Sequence, residues 1–151
     1  MQLKAVQEWA VFFFWAKWSF GLFISKMIHL TKGETNTVVL TLTENETLTT
    51  PNYLFRFVNR TTGIEVVFVK TNASDVSSYK YRFNQFSIVT SSYFSNQPSG
   101  EWLYYVYEQA STTNRDYTKA TGLLEQGIMR LNDSDAFEYT QHEPENTYIT
   151  R

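Results

Sequence analysis

YLFRFV at residues 53–58, NRTTG at 59–63 and IEVVFVK at 64–70 decide the fold class of this chain. In the first arm Tyr53, Phe55 and Phe57 fall on one face while Leu54, Arg56 and Val58 fall on the other, which is the two-residue period of a strand. The second arm is rich in β-branched residues, which suit a pleated surface. Gly63, near the end of the intervening loop, suits an antiparallel hairpin. Arg56 interrupts an otherwise apolar arm, so it reads as a solvated charge on the outer strand face or as a contact for a partner.

Working outward, the same pattern recurs. Residues 35–43 (TNTVVLTLT) place Val38, Leu40 and Leu42 on one face and Val39 on the other, and Pro51 then breaks the run. Residues 72–79 (NASDVSSY) read as a polar turn, with Ser74 or Asp75 near the start of a brief helical turn. Phe86 and Ile88 share a face in a strand over 83–89. The turn cluster SNQPSG at 95–100 leads into the most aromatic strand, EWLYYVYEQ at 101–109. There Trp102, Tyr104 and Val106 alternate with Leu103, Tyr105 and Tyr107, so both faces carry large side chains. Residues 110–122 form a long polar loop of the kind that carries function on a β scaffold. LLEQGIMRL at 123–131 reads as the last core strand, with Gly127 marking a bulge. Short strands at this spacing, with no helix between them, predict an all-β fold, an antiparallel sandwich of Ig-like type. The expected division is an apolar N-terminal extension over 1–26, the sandwich over 27–131, and a polar C-terminal tail or edge strand over 132–151.

A chain of 151 residues, 42% hydrophobic and 17% aromatic, has enough apolar area for one core without disulfides or a structural metal. A net charge of −2 supplies no positive field for phosphate backbones, which argues against nucleic acid as a partner. The absence of cysteine rules out disulfides and thiolate metal sites. Residues 9–24 (WAVFFFWAKWSFGLFI) are the anomaly. Lys17 lies near the middle of a stretch that is short for a spanning helix, and no small-x-small cleavage pattern precedes Met27. An interfacial helix or membrane anchor is one reading; the favoured one is an over-extended start, with the protein proper beginning at Met27. A membrane partner is expected only if residues 1–26 are a genuine anchor.

Catalytic machinery is hard to assemble from this sequence. The two histidines, His29 in a strand pattern and His142 in the polar tail, give no sign of a nucleophile–base pair. Asn132, Asp133 and Asp135 supply hard oxygens but lack the spacing of a calcium loop, so a turn held by Asx hydrogen bonds is the favoured reading. Glu101, Glu108 and Glu125 offer carboxylates, yet nothing selects a hydrolytic pair. The N-x-S/T matches at Asn45, Asn59, Asn72 and Asn132 carry little weight without a secretory signal. The expectation is a non-enzyme with no cofactor and no metal. The aromatic strand is the feature that invites a partner, because tyrosine offers rigid amphipathic contact area. Tyr104, Tyr105, Tyr107 and Arg56 are therefore the candidate binding residues. The Tyr105 and Tyr107 side is expected to be the less buried, since Trp102 brings the larger apolar area to the opposite face.

Residues 30–69, 79–88 (YKYRFNQFSI), 98–111 (PSGEWLYYVYEQAS) and 123–131 together resemble a small β-sandwich protein encoded beside virion genes in tailed phages of Bacteroidetes, including crAss-like phages. The most specific pieces are TLTENETLTTPNYLFRF at 41–57 and GEWLYYVYEQAS at 100–111. The resemblance implies a virion structural or accessory role, as a capsid decoration or fibre component assembled in the host cytoplasm, with other virion proteins as partners and homo-oligomerisation as a further option. It also implies a start near Met27. The alternative is an Ig-like surface domain that recognises host glycan through Tyr104, Tyr105 or Tyr107.

Overall fold

The computed structural model describes residues 26–134. The expectations for the N-terminal segment through Ser25, for Asp135 and for His142 lie outside those residues. Among the described residues no helix is long and apolar enough to cross a membrane.

Among the described residues seven strands follow in chain order: β1 Lys26–Thr31, β2 Thr35–Leu40, β3 Asn52–Asn59, β4 Glu65–Lys70, β5 Asn84–Val89, β6 Gly100–Gln109 and β7 Gly122–Asn132. They form a five-stranded sheet in the order β1-β7-β6-β3-β4 and a two-stranded sheet of β2 and β5. The all-β sandwich expected from the alternation is the fold. Five strands in one layer pack against two in the other. All pairings are antiparallel except one, because β1 runs parallel to β7, with Ile28 opposite Met129 and Leu30 opposite Leu131.

The hairpin expected over residues 53–70 is present as β3 and β4, with Phe55 opposite Phe68 and Phe57 opposite Val66. Asn59 shapes its loop: its side-chain oxygen accepts the amides of Thr61 and Thr62, and Gly63 turns the chain at φ +71°. The strand expected over 35–43 ends at Leu40 and gives way to a short 3-10 turn, Thr43–Asn45. Leu42 nonetheless stays in the core, as its alternation required. One helical turn, α1 Thr90–Tyr93, follows β5 where no helix was expected.

The core lies between the sheets. Tyr53, Phe55, Phe57, Trp102, Tyr104 and Val106 from the large sheet meet Val38, Leu40, Phe86 and Ile88 from the small one, all fully or almost fully buried. With no cystine to tie the layers, ring contacts do so. Phe86 packs edge-on against Tyr53 and Phe55, and Phe94 packs edge-on against Phe57 and Trp102, at centroid distances of 5.1–5.7 Å. Such pairs add to the area they bury, at about 0.5–1.5 kcal/mol each.

The bulge lies three residues before the expected one. The β6–β7 register slips between Val106 and Tyr107, which face Glu125 and Leu123, leaving Leu124 as the extra residue. Gly127 has another task. A Cβ there would come within 2.5 Å of the Lys26 carbonyl oxygen and 2.6 Å of the Tyr104 ring, so this glycine lets β1 and Tyr104 close on β7.

Candidate interaction face

The candidate residues on β6 divide between the two faces of the large sheet. Tyr104 is fully buried in the core, and its hydroxyl donates to Glu125 Oε1 at 2.8 Å. It is thereby corrected out of the stacking set: a ring with no solvent-facing surface has none to offer a sugar or a subunit. Tyr105 and Tyr107 lie on the opposite, half-buried side, as expected from the size of Trp102.

The outer face is built by register. Arg56 stands opposite Tyr105, Leu54 opposite Tyr107 and Val58 opposite Leu103, while β4 sets Val67 beside Arg56 and Val69 beside Leu54. Leu103 faces Ile128, which in turn faces Met27 on β1. The result is an apolar and aromatic surface with one cation at its centre. Arg56 is not the solvated charge its sequence position suggested, since only 16% of its side chain is exposed. Its guanidinium makes a two-pronged bond to the Glu65 carboxylate, with Nε to Oε2 at 3.1 Å. It also lies 4.2 Å from the Tyr117 ring centroid and 5.5 Å from that of Tyr105. Bonding to Glu65 raises the pKa of Arg56, and the same bond holds Glu65 below the ordinary carboxylate value. Tyr105 stacks on Tyr107 at 6.4 Å, and Tyr107 meets Tyr117 at 5.8 Å.

Tyr117 reaches this face because its loop is tightly bonded. Gln109 donates to the carbonyls of Ser111 and Asn114, and Asn114 donates to the Gln109 side chain and to the Asp116 carbonyl. Asp116 then caps the 3-10 turn Tyr117–Lys119 by accepting the Thr118 amide. Sequence alternation could not reveal Tyr117 as a member of the face, because it sits outside any strand. The dense run of Ser, Thr, Asn and Asp around it was the available signal.

The loop over 110–121 shares one end of the sandwich with those over 41–51 and 71–83. Glu108, buried at the end of β6, accepts the Thr47 hydroxyl and the amides of Thr47 and Leu48. Burial alone would raise its pKa, but these three bonds hold the carboxyl below its ordinary value. Glu125 accepts the Thr41 amide beyond β2 as well as the Tyr104 hydroxyl, so it joins the two sheets. Asp75, also buried, accepts from Ser77, Asn84 and Gln85 and fixes the 71–83 loop. That loop presents Tyr79 and Tyr81 at 55% and 71% exposure, with their rings edge-on. The structure thus brings Arg56, Tyr105, Tyr107 and Tyr117 together and sets Tyr79 and Tyr81 apart at the loop end.

The remaining acidic candidates are engaged in structural contacts. Glu101 pairs with Arg60 at 2.7 Å. Asp133 accepts from Lys32 Nζ and Ser99 Oγ, each at 2.7 Å. No protein-family model and no curated protein matches the chain.

Proposed function

We propose that this chain is a non-enzymatic structural or accessory protein of a phage virion, a capsid decoration or fibre component that acts by protein–protein assembly. The observation that carries the assembly reading is the outer face of the five-stranded sheet. Its one central cation, Arg56, is already paired with Glu65 and stacked on tyrosine, so covering it with another subunit strands no lone charge. Around it Leu103, Tyr105, Tyr107, Val58, Val67 and Val69 are only partly buried, an arrangement of apolar and aromatic groups that suits the centre of an interface. The phage context rests on the resemblance of residues 41–57 and 100–111. Peptide mass spectrometry of purified particles tests it: peptides from residues 27–131 are expected among the virion proteins, and their absence would refute the reading.

A second reading is recognition of a host glycan. It is favoured by the stacked pair Tyr105 and Tyr107 on the outer face. A glycan array should then show saturable binding that Tyr105→Ala and Tyr107→Ala abolish, while Tyr104, being buried, has no direct part.

A further inference from the structure

β4 ends its sheet. It pairs with β3 and, among the described residues, with no strand on its other side. An edge reading EVVFVK, with neither proline nor glycine, is a template for strand addition. Beside it lies a cleft of about 290 Å³ lined by Phe68, Val69, Tyr93, Thr112, Thr113 and Arg115. The Tyr93 ring is stacked on Phe68 at 4.0 Å, and Lys70 Nζ stands over it at 5.8 Å. The wall that carries Thr112, Thr113 and Arg115 is the hydrogen-bonded loop described above, so it is formed before any ligand arrives.

Two cations border this cleft, Arg115 in its wall and Lys70 above the Tyr93 ring. Lys26, Lys32, Arg56, Arg60 and Lys119 each pair with a carboxylate, whereas among the described residues Arg130, at a distance on β7, and Lys70, Arg115, Lys80 and Arg82 pair with none. The last two lie on the exposed turn that follows Tyr79. Burial lowers the pKa of Lys70, so its ammonium stands to gain from an incoming anion. A sugar is the poorer match to the cleft, because Phe68 and Lys70 already occupy the Tyr93 ring. An extended peptide matches it better, since it can use the open β4 backbone and the two cations together.

We propose that the β4 edge accepts an extended, acidic segment of a partner protein as an added strand, with its carboxylates read by Arg115 and Lys70 and its apolar side chains seated against Phe68, Val69 and Tyr93. This deepens the assembly reading and rests on it.

The test uses the full chain and three labelled peptides: acetyl-TVEVTVEV, its Gln counterpart and its Lys counterpart. Fluorescence anisotropy should show the Glu peptide binding about tenfold or more tightly than the Gln peptide, with the Lys peptide weakest. Arg115→Gln with Lys70→Gln should remove the preference for Glu. Hydrogen exchange should show new protection of the Val67 or Val69 amide when the Glu peptide is bound. Failure of the Glu peptide to bind, equal binding of the Glu and Gln peptides, or a preference that survives the double substitution would overturn the proposal. So would tighter binding of polygalacturonate with no protection on β4, which would assign the cleft to acidic glycans. Particle mass spectrometry separates the two claims: virion peptides together with an inert β4 edge would leave assembly standing and remove this site.

Discussion

At the scale of single residues, two glycines do different work. Gly127 sits where a methyl group would strike the Lys26 carbonyl and the Tyr104 ring, and because one neighbour is backbone, the strain cannot be relieved by turning a side chain. Gly127→Ala should therefore lower stability by about 1–3 kcal/mol, seen as a lower urea midpoint at unchanged m-value. Gly63 has open space around it but a φ of +71°, so Gly63→Ala should cost only about 1 kcal/mol, from backbone strain alone. Glu108 carries a pH signature. Its folded pKa lies below the ordinary 4.5, so its contribution to stability is complete above that value and is lost as pH falls through the lower folded value. Glu108→Gln removes this linkage. The variant should be less stable than the parent at neutral pH, and the difference should shrink below about pH 4 in denaturation curves taken across the acid range.

At the scale of elements, the loop over 110–121 decides what the outer face looks like. Asn114→Ala removes the bonds to the Gln109 side chain and the Asp116 carbonyl that hold this loop. A loss of about 1–3 kcal/mol is expected, with faster amide exchange through residues 111–119 and a weaker Tyr117 contact to Arg56. Unchanged exchange in that loop would contradict the account of how Tyr117 is placed. The strands were legible because alternation is local: Tyr53, Phe55 and Phe57, and likewise Trp102, Tyr104 and Val106, declare one buried face by their spacing alone. What alternation cannot announce is which distant strand will be the neighbour. The parallel meeting of β1 with β7 brings together residues about a hundred positions apart, and nothing local to Ile28 or Met129 records it. For the same reason Arg56 read as solvated, since the residues that cover it, Glu65, Tyr105 and Tyr117, come from three other parts of the chain. Tyr104 was a candidate on chemistry shared by every tyrosine of its strand, although alternation had already set it with Trp102 on the face that is buried.

At the scale of the whole molecule, a sandwich with no cystine relies on its aromatic core, and the polar groups buried within it are bonded. Among the described residues no buried side-chain nitrogen or oxygen lacks a hydrogen-bond partner. Phe86 is the ring that touches the large sheet at both Tyr53 and Phe55, so Phe86→Ala should cost about 3–5 kcal/mol and act as a global unfolding variant in thermal melts. The carboxylates of Glu108, Glu125 and Asp75 are spent on stapling loops and sheets. That leaves the outer face and the β4 edge as the surfaces with the most to offer another molecule. The central claim is that these surfaces serve assembly within a virion, and the most direct measurement is peptide mass spectrometry of purified particles. The account predicts peptides spanning residues 27–131 at levels comparable with other structural subunits; particles free of such peptides, with the chain found only in the host fraction, would contradict it.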